Sequence, residues 1–241
     1  MKSENITSEI GNSKNSIYNL GFYSAILTSL LTVVTFVIAF LTPPLSGPFC
    51  VAQSCLAYPY LDSVARFPRD FYWMYPAIAL FFAYAILMAT VHHSAPDNKK
   101  IYSHIGLFFA MFGAMILITN YFLQLSVIQP SLLNNESDGI SLFSQYNPHG
   151  IFIALEELGY FFIAVAFLLF APVFGGSKLT NAIRWIFISC FLLTVVAFAY
   201  FSFAYGINRE YRFEVTAISL SFLTLIASGI LLSIFFKKHK F

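Results

Sequence analysis

The sequence predicts an all-α fold: an integral membrane bundle of six transmembrane helices with both termini in the cytoplasm. Three observations carry this. Charged residues make up 10% of the chain and hydrophobic ones 59%, whereas about a quarter of a soluble domain is charged. The apolar residues collect in six runs, near 18–41, 71–91, 103–126, 150–174, 182–206 and 213–236. Each is close to the roughly 20 residues that cross a bilayer as a helix. The cations, finally, are unevenly shared between the two sides. With the N-terminus inside, Lys2, Lys14, Lys99, Lys100, Lys178, Arg184, Lys237, Lys238 and Lys240 lie inside, and Arg66, Arg69, Arg209 and Arg212 outside. That bias follows the positive-inside rule.

Residues 1–16, "MKSENITSEIGNSKNS", are polar and aperiodic and read as a disordered cytoplasmic tail ahead of a transmembrane domain over 17–241. Asn5-Ile6-Thr7 matches a glycosylation sequon on the cytoplasmic side, and Asn135-Glu136-Ser137 matches one on the outer side. The first apolar run, Leu20 to Leu41, exceeds the 7–15 residues of a signal-peptide core, so it reads as an uncleaved anchor. The loop after it opens with "TPPLSGP", whose prolines cannot continue the helix. Cys50 and Cys55 both fall in this loop, on the oxidising side, which allows either a disulfide or two free thiols. Tyr72, Trp73 and Tyr75 fit an aromatic belt at the start of the second span. His92, His93 and His104 flank the first inner loop. They read as solvated interface side chains, with a haem or metal site as the alternative.

Helices pack in membranes through small residues. The third span carries Gly106, Ala110, Gly113, Leu117, Asn120 and Gln124 on one face, the sixth Glu214, Ala217, Ser221, Thr224 and Ser228, and the first Gly21, Ser24, Thr28, Leu31 and Thr35. Cys190 reads as a small packing residue of the fifth span, the 29 phenylalanines as lipid-facing bulk, and Lys237, Lys238 and Lys240 as an anchor at the inner leaflet.

The fourth span raises the functional question, because Glu156 and Glu157 stand in the middle of an apolar run. A charged residue at mid-helix costs about 2.5–3.5 kcal/mol on insertion scales, and such groups normally face the bundle or water and find a partner. Counted from Pro148, Glu156 lies about 12 Å down the helix axis, on the outer side of the bilayer middle. Asn120, Gln124, Tyr160 and Glu214 share that outer half, and His149 shares a helical face with Glu156. Glu157 points about 100° away from Glu156, so one glutamate is expected to face a cavity and the other to bond a neighbouring helix or stay protonated. Candidate ligand-binding residues are therefore Asn120, Gln124, His149, Glu156, Glu157, Tyr160 and Glu214, with Arg66, Arg69, Arg209 and Arg212 as possible partners.

The net charge of +2, with no basic patch outside the loops, implies no nucleic-acid partner. No serine-nucleophile, phosphate-loop or zinc-protease motif is present, and no cofactor is implied. The run "NYFLQLSVIQPSLLNNESDGISLFSQYNPHGIFIALEELGYFF" resembles uncharacterised multi-pass membrane proteins of prokaryotes through Asn120, Tyr121, Gln124, Pro130, Asn147, Pro148, Glu156, Gly159 and Tyr160. The resemblance implies a cell-membrane protein and brings no activity with it. The expected function is binding of a small molecule or ion in an outward-facing polar cavity, as a transporter or sensor. The alternatives are a lipid-modifying enzyme using a glutamate with His149, or a structural subunit whose polar groups only tie helices together.

Overall fold

The computed structural model describes residues 2–42, 44–50 and 55–239, with side chains from residue 15 onward. Six long helices dominate: α1 (Lys2–Phe40), α2 (Met74–His93), α3 (Lys100–Leu123), α4 (Ile151–Phe170), α5 (Lys178–Tyr205) and α6 (Glu210–Lys238). All six are long and apolar enough to cross a membrane, and among the described residues there is no β-strand. The chain is a multi-pass membrane protein whose surroundings are a lipid bilayer.

Two element boundaries depart from expectation. The backbone of 2–16, expected without structure, is helical and continuous with the first span; it contains no proline, and Gly11 alone does not stop a helix. The side chains of Lys2, Asn5 and Lys14, and the whole of Lys240, lie outside the described residues. At the other boundary, α3 runs on through a π-helical turn, Gln124–Ile128, into a short helix at Gln129–Leu133. Pro130 explains the wide turn. Its missing N–H cannot bond the Ser126 carbonyl in α-register, and its ring would clash with that carbonyl.

The helices pack as a ring in chain order, with α6 closing on α1 and α4 also crossing to α6. Helix α5 packs mainly on α4 and α6, so only 17% of its apolar window is buried, against 56% for α4. Close approach depends on glycine at two seams. A Cβ on Gly113 of α3 would sit 2.9 Å from the Gly159 carbonyl of α4, and one on Gly229 of α6 would sit 2.9 Å from the Ala25 carbonyl of α1. The α3 stripe therefore lines the α3–α4 interface, whereas Gly229 and Ala25 lie outside the stripes read on the sixth and first spans.

Phenylalanine is not simply lipid-facing bulk. Phe81, Phe167, Phe170, Phe187, Phe213 and Phe236 are fully buried, while Phe82, Phe112 and Phe203 face outward. With few polar residues to build it, the centre of the bundle is filled by rings, which also supply stacked and edge-to-face contacts such as Phe167 on Phe187 at 4.6 Å.

The described residues of both long connections, 41–42, 44–50, 55–73 and 134–150, lie at one end and form a cap. Cys50 and Cys55 are joined by a disulfide with Cα atoms 5.7 Å apart. The buried Asp70 anchors the cap, accepting from Arg66 Nε at 3.1 Å and from Tyr146 OH at 2.7 Å. Burial first, then the bond to Asp70, raises the Tyr146 phenol above its ordinary pKa. At the opposite end His92 Nδ1 lies 2.8 Å from Ser103 Oγ, and the His92 and His104 rings meet edge-to-face at 5.5 Å. Among the described residues no cluster of three or more His, Cys, Asp or Glu is placed to hold a metal.

Candidate functional site

Beneath the cap lies a cavity of about 390 Å³ between α1, α4 and α6, within the usual range for small-molecule pockets of roughly 300–1,000 Å³. Each helix reaches it with one stripe. From α6 come Tyr211, Glu214, Val215, Ile218, Ser219 and Phe222, spaced three and four apart. From α4 come Phe152, Glu156 and Tyr160 at steps of four, and from α1 Thr35, Phe36, Ala39 and Phe40. Leu45, Ser46, Trp73 and Tyr146 roof it. Glu214 to Phe222 spans about 12 Å of helix, so the cavity reaches well below the cap. Of its lining, Phe40 and Val215 at the α1–α6 seam and Pro44 and Phe49 in the cap are exposed. The polar chamber expected from the sequence is instead an apolar one with a polar end.

That end is a directed hydrogen-bond chain. Tyr121 OH donates to Glu156 Oε1 at 2.6 Å. Tyr121 has one hydroxyl hydrogen, so across the 3.0 Å contact between the two phenols Tyr160 is the donor. The Glu156 carboxyl also hydrogen-bonds that of Glu214 on α6. Two carboxyls can bond each other only with a proton on at least one of them, so the pair holds at least one proton. On the roof, Ser46 Oγ and Tyr211 OH are 2.7 Å apart, and Tyr211 donates onward to the Gln145 carbonyl at 2.9 Å.

The remaining candidates are elsewhere. Glu157, one residue round the helix, turns toward the α5–α6 connection and accepts from Arg209 Nη1 at 2.7 Å. The Arg209 guanidinium lies over the rings of Phe198 at 4.9 Å and Phe213 at 5.8 Å. Asn120 donates to the Phe152 carbonyl at 2.9 Å and Gln124 to the Phe143 carbonyl at 2.6 Å, so both tie α3 to the start of α4 and the cap rather than lining the cavity. His149 is not beside Glu156. Helix α4 begins only at Ile151, so His149 lies outside the helical register, mostly exposed, with Nδ1 3.3 Å from Glu210 Oε1.

The candidate binding residues omitted Thr35, Trp73 and Tyr211 of the cavity lining, and Tyr121, which bonds Glu156 from behind it. Trp73 faces Tyr121 edge-to-face at 4.9 Å instead of joining the interfacial belt, while Tyr72 and Tyr75 are exposed as a belt requires. The available signal was general: a tyrosine within a span must find a partner for its hydroxyl, which makes Tyr121 a candidate as soon as Glu156 is one.

A second cavity of about 500 Å³ lies at the opposite end, lined by Tyr18, Phe174, Ser177, Phe235, Lys238 and His239. It contains no buried charged group, which leaves the capped cavity as the candidate site.

No family model matches the chain, and no curated protein or solved structure matches it either. The functional reading therefore stands on geometry.

Proposed function

We propose that the protein binds a small amphiphile from the bilayer, as a transporter or sensor of the cell membrane. The observation that carries this reading is the cavity at the α1–α6 seam, with exposed Phe40 and Val215 at one side and two buried carboxyls in its lining. The apolar part of the ligand occupies the space between α1 and α6, and its head group meets Glu156, Glu214 and Tyr211. A ligand arriving through lipid needs an opening at the acyl chains, and the α1–α6 seam supplies one. The orientation belongs to the same proposal. Both termini are cytoplasmic, on the cation bias of the connecting segments, so the cap and the cavity face outward.

The enzyme alternative required a second catalytic group beside a cavity glutamate. An opening to lipid would suit such an enzyme too, but His149 pairs with Glu210, outside the cavity lining, so the second group is missing from the cavity.

The test uses the chain's own fluorescence. It has two tryptophans, Trp73 and Trp185; Trp185→Phe leaves Trp73, in the cavity roof, as the single donor. Titrating this protein in nanodiscs with the neutral acceptor N-phenyl-1-naphthylamine should give saturable energy transfer. Ala39→Phe, which fills the mouth, should abolish the saturable part. Transfer that grows only with the amount of probe in the lipid, and is the same with Ala39→Phe, contradicts the proposal.

A further inference from the structure

The lining of the capped cavity is one-sided in charge. Glu156 and Glu214 are its acids, and among the described residues that line it there is no Lys, Arg or His. Around the pair stand aromatic rings: Phe36, Trp73, Phe152, Tyr160, Tyr211 and Phe222. Ring faces attract a cation within about 6 Å of their centroids, the more so when water is excluded. An anionic head group would meet two carboxyls and electron-rich ring faces with no cation to balance it. A neutral one could hydrogen-bond the acids but would gain no charge attraction from them or from the ring faces.

A second observation, independent of the acids, also asks for a ligand. Thr35 is fully buried and lines the same cavity, yet its hydroxyl has no hydrogen-bond partner. A hydroxyl left so costs about 1–3 kcal/mol, and a head group with an N–H or O–H would recover part of that by donating to it. The carboxyls and this hydroxyl come from three helices, α4, α6 and α1, so a head group reaching them all would sit inside the bundle.

We infer that the ligand is a lipophilic cation, an ammonium or quaternary ammonium with an apolar body, and that its entry displaces the proton held between Glu156 and Glu214. This rests on the amphiphile reading above. The charges balance. For each positive charge that enters between the carboxyls one proton held by the pair leaves for water, so the net charge of the site is the same before and after. The other titratable groups around the pair are Tyr121 on α3, Tyr160 on α4, Tyr211 on α6 and Tyr146 in the cap. Glu157 stands nearby with its carboxylate paired to Arg209. The exchangeable proton is the one between the two cavity acids.

The test is calorimetry in phosphatidylcholine nanodiscs, with empty nanodiscs as baseline and two buffers of different ionisation heat. The probes are decyltrimethylammonium, which carries no proton of its own, and decanol, its neutral counterpart. The cation is expected to bind saturably and to release about one proton per site. Glu156→Gln and Glu214→Gln should each remove the release. The wild-type proton count decides the matter even where a glutamate variant fails to fold. If decanol binds and the cation does not, or the cation binds without proton release, the inference is overturned and the amphiphile reading stands. If neither probe binds, both fall.

Discussion

Glu156 and Glu157 are neighbours in the chain with different solutions to the same cost. A rotation of about 100° sends the first into the cavity, where Tyr121 and Glu214 hydrogen-bond it, and the second to Arg209. Glu157 is stable in its place because a cation reaches it, and that cation is itself held between two rings. Breaking such a pair leaves an uncompensated charge, whereas removing both charges is close to neutral. Arg209→Ala alone is therefore expected to destabilise the protein by about 2 kcal/mol, a figure reduced for the partial exposure of the arginine. The double variant with Glu157→Leu should recover most of that loss. Unfolding curves of the purified protein check this, and a double variant no better than Arg209→Ala would show that the pair is not what holds Glu157 there.

At the scale of elements, the spans were legible and their inner faces partly so. Hydropathy marks where a helix crosses, and steps of three and four mark which side is small. The α3 stripe accordingly lies at the α3–α4 seam, while Ser221 and Thr224 of the α6 stripe meet Cys190 of α5. Gly113→Val is expected to push α3 from α4, where the added atoms meet the Gly159 carbonyl, and to destabilise by about 1–3 kcal/mol. A thermal melt indistinguishable from wild type would mean the two helices are not packed at that point. Less was legible where the chain leaves its regular period. His149 was placed on the Glu156 face by counting back along a helix that begins only at Ile151. Gln124 opens the π-helical turn that Pro130 imposes, and the turn and its hydrogen bond to the Phe143 carbonyl tie Gln124 to the cap. Trp73 looks like a belt residue by position, but contacts from α3 and α4 decide where its ring lies. Long-range partners such as Asp70 with Tyr146, or Glu156 with Glu214, leave no periodic trace in the chain.

For the molecule as a whole, the ring of helices makes a cavity because α1 and α6 meet tightly at one end and part at the other. Gly21 against Phe236 and Gly229 against Ala25 seal the lower seam, while the upper one frames the opening. The acids sit at the inner wall of that opening, and their partners are hydroxyls and each other rather than cations. In our account, two carboxyls sharing a proton face a chamber that communicates with lipid. Carbodiimides attack protonated carboxyls, so a hydrophobic reagent that partitions into the bilayer can read this arrangement directly. Treating membranes with dicyclohexylcarbodiimide and locating the adducts by peptide mass spectrometry should find Glu156 or Glu214 modified, with the labelling suppressed by decyltrimethylammonium or by Ala39→Phe. Failure to label either glutamate, or labelling that neither treatment lowers, would contradict it.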